Sequence, residues 1–137
     1  MPIEASSGKM IIYQLLPRLF GNRNTTNKFY GTKDENGVGK FNDINDVALS
    51  AIKKMGVTHI WYTGVIEHAL LTDYTKFGIP MDDADVVKGI AGSPYAIKDY
   101  YDVNPDLATT VPDRMQEFEQ LVTRTKSNGL KVIIDFV

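Results

Sequence analysis

The chain has 137 residues, of which 43% are hydrophobic and 23% are charged, values ordinary for one soluble globular domain with a buried core. Its formal net charge of −2 argues against a nucleic-acid groove or a polybasic membrane anchor. The absence of cysteine excludes disulfides and thiolate metal sites but leaves the compartment open. No apolar run approaches the ~20 residues of a membrane span, and residues 1–9 lack the apolar core of a signal peptide, so we expect a soluble chain.

The first predicted element is a strand within the apolar run at residues 10–20. Its nearly continuous hydrophobicity is typical of a parallel strand that is buried on both faces. Pro17 cannot donate a hydrogen bond to a neighbouring strand, so the strand should end near Leu16. Residues 21–41 are polar and rich in glycine and asparagine, which predicts a loop.

A helix is predicted next, because apolar residues recur at the spacing of one helical face. Asn42 or Asp43 can cap its start, and Gly56 can end it in a left-handed turn. The β-branched and aromatic segment at 57–63 then predicts a second strand. The expected buried stripe of the helix consists of Ile44, Val47, Ala48, Ala51, Ile52 and Met55.

The connection at 64–109 is far longer than a usual βα loop, which has about two to six residues. We therefore expect it to carry function or a small substructure of its own. Thr110 and Asp113 give a T-x-x-D capping signal for a second long helix, which Gly129 closes. The expected buried stripe of this second long helix consists of Met115, Phe118, Leu121, Val122 and Thr125. Residues 130–137 then predict a third strand.

Strand, helix, strand, helix, strand is the order of right-handed βαβ units with a parallel sheet. A doubly wound sheet and a (β/α)8 barrel share this order, and the long insertion favours the barrel. We therefore predict an α/β fold made of the first three β/α units of an incomplete TIM-type barrel, with parallel strands adjacent in chain order. A barrel takes about 250 residues, so residues 1–137 are expected to be the N-terminal portion of a longer domain. The open apolar edge at 132–137 predicts self-association or marginal folding.

Residues 92–109 combine aromatic faces with carboxylates on a turn-rich connection, which is what a sugar site needs. An ordinary long loop whose tyrosines cover the edge of a core is the alternative. The residues concerned are Tyr95, Tyr100, Tyr101, Asp99, Asp102 and Asp106.

Four segments together resemble the α-amylase family of glycoside hydrolases and transglycosidases. They are YQLLPRLF at 13–20, GVTHIWYTGV at 56–65, SPYAIKDYYDVNPDLAT at 93–109 and GLKVIIDFV at 129–137. The resemblance implies a (β/α)8 barrel that acts on α-linked glucans such as starch with a retaining mechanism. Such a mechanism needs a carboxylate nucleophile and a carboxylic acid about 5 Å apart.

The resemblance implies roles for three residues of this chain. Tyr95 matches the tyrosine that stacks on the sugar at the cleavage site, and Asp99 matches an aspartate that helps to hold that site together. Asp135 matches the first aspartate of a motif at the end of the third strand. The nucleophile, the acid and the third carboxylate of the family come from later strands, so we expect no catalytic residue in this chain and no activity from it alone.

Two departures from the family's pattern narrow the expectation. Ala96 stands where exo-acting α-glucosidases have an aspartate, which favours amylase-like or transglycosidase chemistry. Residues 33–40 resemble a calcium loop, but Lys40 takes a ligand position and an ammonium cannot coordinate calcium. We therefore expect no metal ligand and no cofactor in this chain, while calcium stays an option for the full-length enzyme. His59 and His68 have no third partner at metal-ligand spacing and are interpreted as structural histidines with satisfied hydrogen bonds.

Two functions follow as hypotheses. The first is an α-glucan-active retaining glycosidase or transglycosidase, with an oligosaccharide substrate and neither a nucleic acid nor a membrane as partner. The second is a non-catalytic α/β module that binds sugars or mediates assembly. The residues leave linkage preference and oligomeric state open.

Overall fold

The computed structural model describes residues 8–137. Regular elements in this part of the chain are joined by loops and short 3-10 turns. In chain order they are β1 Ile12–Leu15, α1 Pro17–Phe20, α2 Lys33–Asn36, α3 Asp46–Lys54, β2 His59–Tyr62, β3 Ile66–His68, β4 Ile97–Val103, α4 Arg114–Ser127 and β5 Lys131–Ile134. Of the described helices, none is long and apolar enough to cross a membrane.

The central sheet consists of β1, β2 and β5, which are parallel and adjacent in that order. In its register Tyr13, Ile60 and Val132 lie side by side. The predicted pairing of the three strands is therefore confirmed. Pro17 opens α1 directly after β1, which explains why the first strand ends at Leu15. Self-association through the third strand stays a prediction.

One face of this sheet forms the main core. Ile60 and Tyr62 alternate onto it from β2 and are fully buried, together with Leu49 of α3 and Leu121 of α4. The opposite face is more open, since Ile12 of β1 keeps 47% of its surface exposed. The expectation that the strands are buried on both faces is therefore wrong for the described chain, because both long helices pack on the same side.

The residue that caps helix α3 is Asn45, which lies three residues after Asn42 and two after Asp43, the two expected caps. Those two residues lie in a 3-10 turn, and the side chain of Asn45 accepts the capping hydrogen bond from the amide of Ala48. Gly56 follows the helix with φ +88°, as predicted. The helix buries Leu49 and Ile52, whereas three members of the expected stripe, Val47, Ala51 and Met55, are exposed.

Helix α4 begins without the predicted side-chain cap. Thr110 and Asp113 make no side-chain capping bond. The Glu117 carboxylate instead reaches back from the first turn and accepts from the backbone amides of Thr109 at 2.8 Å and Thr110 at 2.9 Å. Gly129, at φ +77°, closes the helix as predicted.

The connection after β2 has the small substructure that its length predicts. Its strands β3 and β4 form an antiparallel pair, in which Ile66 faces Val103 and His68 faces Ile97. The predicted loop at 21–41 also contains the four-residue helix α2, which a capping box between Thr32 and Glu35 holds in place.

Candidate functional site

The predicted site residue Asp135 lies directly beyond the carboxyl end of β5. Its Oδ1 accepts a hydrogen bond of 2.6 Å from the indole nitrogen of Trp61 in β2, the neighbouring strand. Its Oδ2 is buried and has no partner among residues 8–137. Gln14 and Thr63 similarly connect the ends of β1 and β2 through a hydrogen bond of 2.9 Å. The carboxyl end of the parallel sheet is therefore a polar surface.

The predicted substrate contact Tyr95 lies in the turn at 93–96. In this turn the amide of Ala96 donates to the carbonyl of Ser93. Its neighbour Pro94 packs over Gly64, where a Cβ atom would lie 3.4 Å from the proline ring. Gly64 comes two residues after β2, so the turn covers the carboxyl end of that strand. Tyr95 keeps 52% of its surface exposed.

The third predicted residue, Asp99, lies in β4 with an exposed carboxylate. Its Oδ1 accepts from the backbone amide of Tyr101 at 2.8 Å. The next residue, Tyr100, packs its ring against Phe136, with 5.1 Å between the ring centroids, and donates its hydroxyl to the carbonyl of Val137. Strand β4 therefore contacts the segment that follows Asp135 through Tyr100.

Asp106, one of the carboxylates expected in a sugar site, is buried in the structure and does not face a ligand. Its side chain is 1% exposed and accepts from the Arg18 guanidinium at 2.8 Å and from the Tyr74 hydroxyl. Burial, and then the charge of Asp106, raises the pKa of Tyr74, so the phenol stays a donor. The Lys40 ammonium donates to the backbone carbonyl of Asp106 at 2.6 Å. This group, which we call the Asp106 network (Asp106, Arg18, Tyr74 and Lys40), connects four separate chain segments.

The sequence carries no direct signal for the Asp106 network, because its members lie in four segments that are far apart in the chain. Lys40, expected to spoil a calcium loop, uses its ammonium to hold Asp106. That residues 33–40 bind no metal stays a prediction.

The two histidines are hydrogen bonded as interpreted, although His68 only in part. The Nδ1 atom of His59 forms a hydrogen bond of 2.7 Å with the Thr58 hydroxyl. His68 is buried, and its Nε2 lies 2.9 Å from the carbonyl of Ala91, while its Nδ1 has no partner in the described chain. Burial lowers the pKa of His68, so a neutral ring with hydrogen on Nε2 fits this environment.

Comparisons with known proteins agree with this architecture. The family model for the α-amylase catalytic domain matches residues 14–137 of the sequence. Maltase A1 of Drosophila melanogaster is 28% identical over 104 residues, which are 76% of this chain and 14% of that protein. Cyclomaltodextrin glucanotransferase of Geobacillus stearothermophilus is 30% identical over 138 residues, covering 92% of this chain and 17% of that protein.

A crystal structure of a noncanonic maltogenic α-amylase from Thermotoga neapolitana has the same fold over this region. The two structures superpose with a TM-score of 0.60 at 22% identity, covering 93% of this chain and 22% of that one. The parallel sheet with its helices is therefore a fragment of a TIM barrel. Because the catalytic-domain model matches residues 14–137, the chain belongs to the α-amylase family.

Proposed function

We propose that this chain forms the first three β/α units of a (β/α)8 barrel that acts on α-linked glucans as a retaining glycoside hydrolase or transglycosidase. The observation that carries the proposal is the exposed ring of Tyr95 in a turn over the carboxyl end of β2. Barrel enzymes place their sites at this end of the sheet. The proposal covers both reaction types, because the relatives include a maltase and a glucanotransferase.

In this proposal Tyr95 stacks on the apolar face of a glucose ring. Asp135 supports the same end of the sheet through its hydrogen bond to Trp61. Asp99 supports it from β4, whose neighbouring Tyr100 packs on the segment after Asp135. The three residues therefore act in binding and positioning.

Replacing Tyr95 with alanine is expected to weaken the binding of maltooligosaccharides to the chain. Loss of a stacked aromatic anchor costs about 1–2 kcal/mol, or roughly 5- to 30-fold in Kd. Titration calorimetry with maltoheptaose measures this change. Met55→Ala is the control, since Met55 is 62% exposed but lies before β2, at the opposite end of the sheet, and its replacement should leave the Kd unchanged. Equal affinities of the two variants would remove Tyr95 as the substrate contact.

The chain alone is expected to release no reducing sugar from starch or maltooligosaccharides. Retaining hydrolysis needs a nucleophile and an acid held about 5 Å apart on either side of the scissile bond, and the proposal places both on later strands of the barrel. A reducing-sugar assay on protein free of host amylase tests this expectation. One carboxylate oxygen of Glu67 lies within 4.8 Å of one oxygen each of Asp99 and Asp102, so these residues are close enough to act as such a pair. Sugar release that is lost in the Glu67→Gln variant would place the chemistry in this chain and contradict the expectation.

A further inference from the structure

Three carboxylates of the β3 and β4 pair lie close together. Glu67 of β3 lies opposite Asp99 of β4, and the strand register is irregular on both sides of Glu67. One oxygen each from Glu67, Asp99 and Asp102 lies within 4.8 Å of the other two. Two oxygens bound to one Ca²⁺ at 2.3–2.6 Å can be at most about 5.2 Å apart, so this spacing suits a shared ion.

Glu67 is the member of this group that most needs a partner. It is only 4% exposed, and within residues 8–137 its carboxylate has neither a hydrogen bond nor an ion pair. Burial raises its pKa, and the charge of Asp102 raises it further. A buried carboxylate in this position is costly unless a cation or a donor satisfies its oxygens.

The nearby cations are already engaged. Arg114 binds both oxygens of Asp102, at 2.8 Å and 2.6 Å. Lys98 pairs with Asp82 at 3.0 Å and also donates to a backbone carbonyl. One guanidinium against three carboxylates leaves a surplus of two negative charges, which equals the charge of a divalent cation.

Free acceptor positions remain on each carboxylate. Both oxygens of Glu67 are unused, and Asp99 uses only Oδ1, which accepts from the amide of Tyr101. In Asp102, Oδ2 receives only Arg114, and a carboxylate oxygen has a second lone pair. A cleft of about 290 Å³ opens beside these groups, so water can complete the coordination shell.

We infer that Glu67, Asp99 and Asp102 form a binding site for a hard divalent cation of the Ca²⁺ type. The ion joins β3 to β4 and so fixes the strand pair that carries the Tyr95 turn. This inference departs from the sequence-based expectation of no metal ligand. It concerns β3 and β4, not the loop at 33–40.

Calorimetric titration of the chelator-treated chain with CaCl2 tests this site, together with thermal melts with and without Ca²⁺. The wild-type chain should bind one Ca²⁺ and melt at a higher temperature in its presence. Asp99→Asn should weaken Ca²⁺ binding by more than about tenfold, because fewer charged ligands lower the affinity. Asp85→Asn is the control: its exposed carboxylate lies outside the cleft, so this variant should behave like the wild type.

Glu67→Gln tests the buried charge and the ion separately. Without Ca²⁺ it should melt at a higher temperature than the wild type, since it removes a buried charge that lacks a partner. Adding Ca²⁺ should then leave its melting temperature unchanged. A wild-type chain without any response to Ca²⁺, including one that responds to Mg²⁺ alone, overturns the inference. So does a Glu67→Gln or Asp99→Asn variant that binds Ca²⁺ as tightly as the wild type.

Discussion

Replacing Asp106 with alanine should lower the free energy of unfolding by about 3–5 kcal/mol, the usual cost of removing one partner from a buried ion pair. The carboxylate is 1% exposed, and its removal leaves the Arg18 guanidinium and the Tyr74 hydroxyl without an acceptor. Domains of this size are stable by only about 5–15 kcal/mol, so the loss is a large fraction of the total. Urea unfolding followed by tryptophan fluorescence measures it.

Asp113→Ala is the matched control for this measurement. Asp113 is an exposed aspartate at the start of α4 and makes no side-chain capping bond. Its replacement should therefore change the free energy of unfolding by no more than about 0.5 kcal/mol. If Asp106→Ala costs no more than Asp113→Ala, the Asp106 network does not hold the four chain segments together.

Replacing Gly92 with alanine should destabilise the chain by about 2–5 kcal/mol, from the sum of a steric clash and a left-handed backbone. Gly92 has φ +74°, and a Cβ there would lie 1.8 Å from the carbonyl oxygen of Ala69. That oxygen belongs to the backbone, so rotation of a side chain cannot relieve the overlap. The turn at 93–96 must move, and the affinity for maltoheptaose should fall together with stability.

Gly89→Ala separates the two contributions. Gly89 also has a positive φ, +66°, but a Cβ there meets no atom within 4 Å. Only the backbone term of about 1–2 kcal/mol should remain, and the oligosaccharide affinity should not change. Thermal or urea unfolding of both variants decides the matter: equal costs would show that Gly92 and Ala69 are not in close contact.

The sequence predicted the three parallel strands and the two long helices because their signals are local. Continuous apolar runs such as the one that ends near Leu16 occur in parallel strands, and glycines such as Gly56 and Gly129 mark helix ends. The helix starts were less predictable, since several polar residues compete for each cap. Asn45 caps α3 in place of Asn42 or Asp43. At the start of α4, the Glu117 carboxylate accepts the backbone amides that the Thr110 signal was predicted to satisfy.

The candidate site was predictable only in part for a related reason. Tyr95 and Asp135 stand in segments whose order resembles a known family, so the resemblance identified them. Asp106 and Glu67 are carboxylates whose burial has no local signal in the sequence, and only the tertiary structure shows which groups surround them. The polar residues of β3 likewise look like loop residues, because three residues are too few for a period to be recognised.

The most direct test of the proposed glucan site is amide chemical-shift mapping of the ¹⁵N-labelled chain during titration with maltoheptaose. The account predicts saturable shifts that are largest in the turn at 93–96 and around Asp135. Shifts confined to the opposite end of the sheet, at residues 57–59 and 129–131, or no saturable shifts at all, would contradict it.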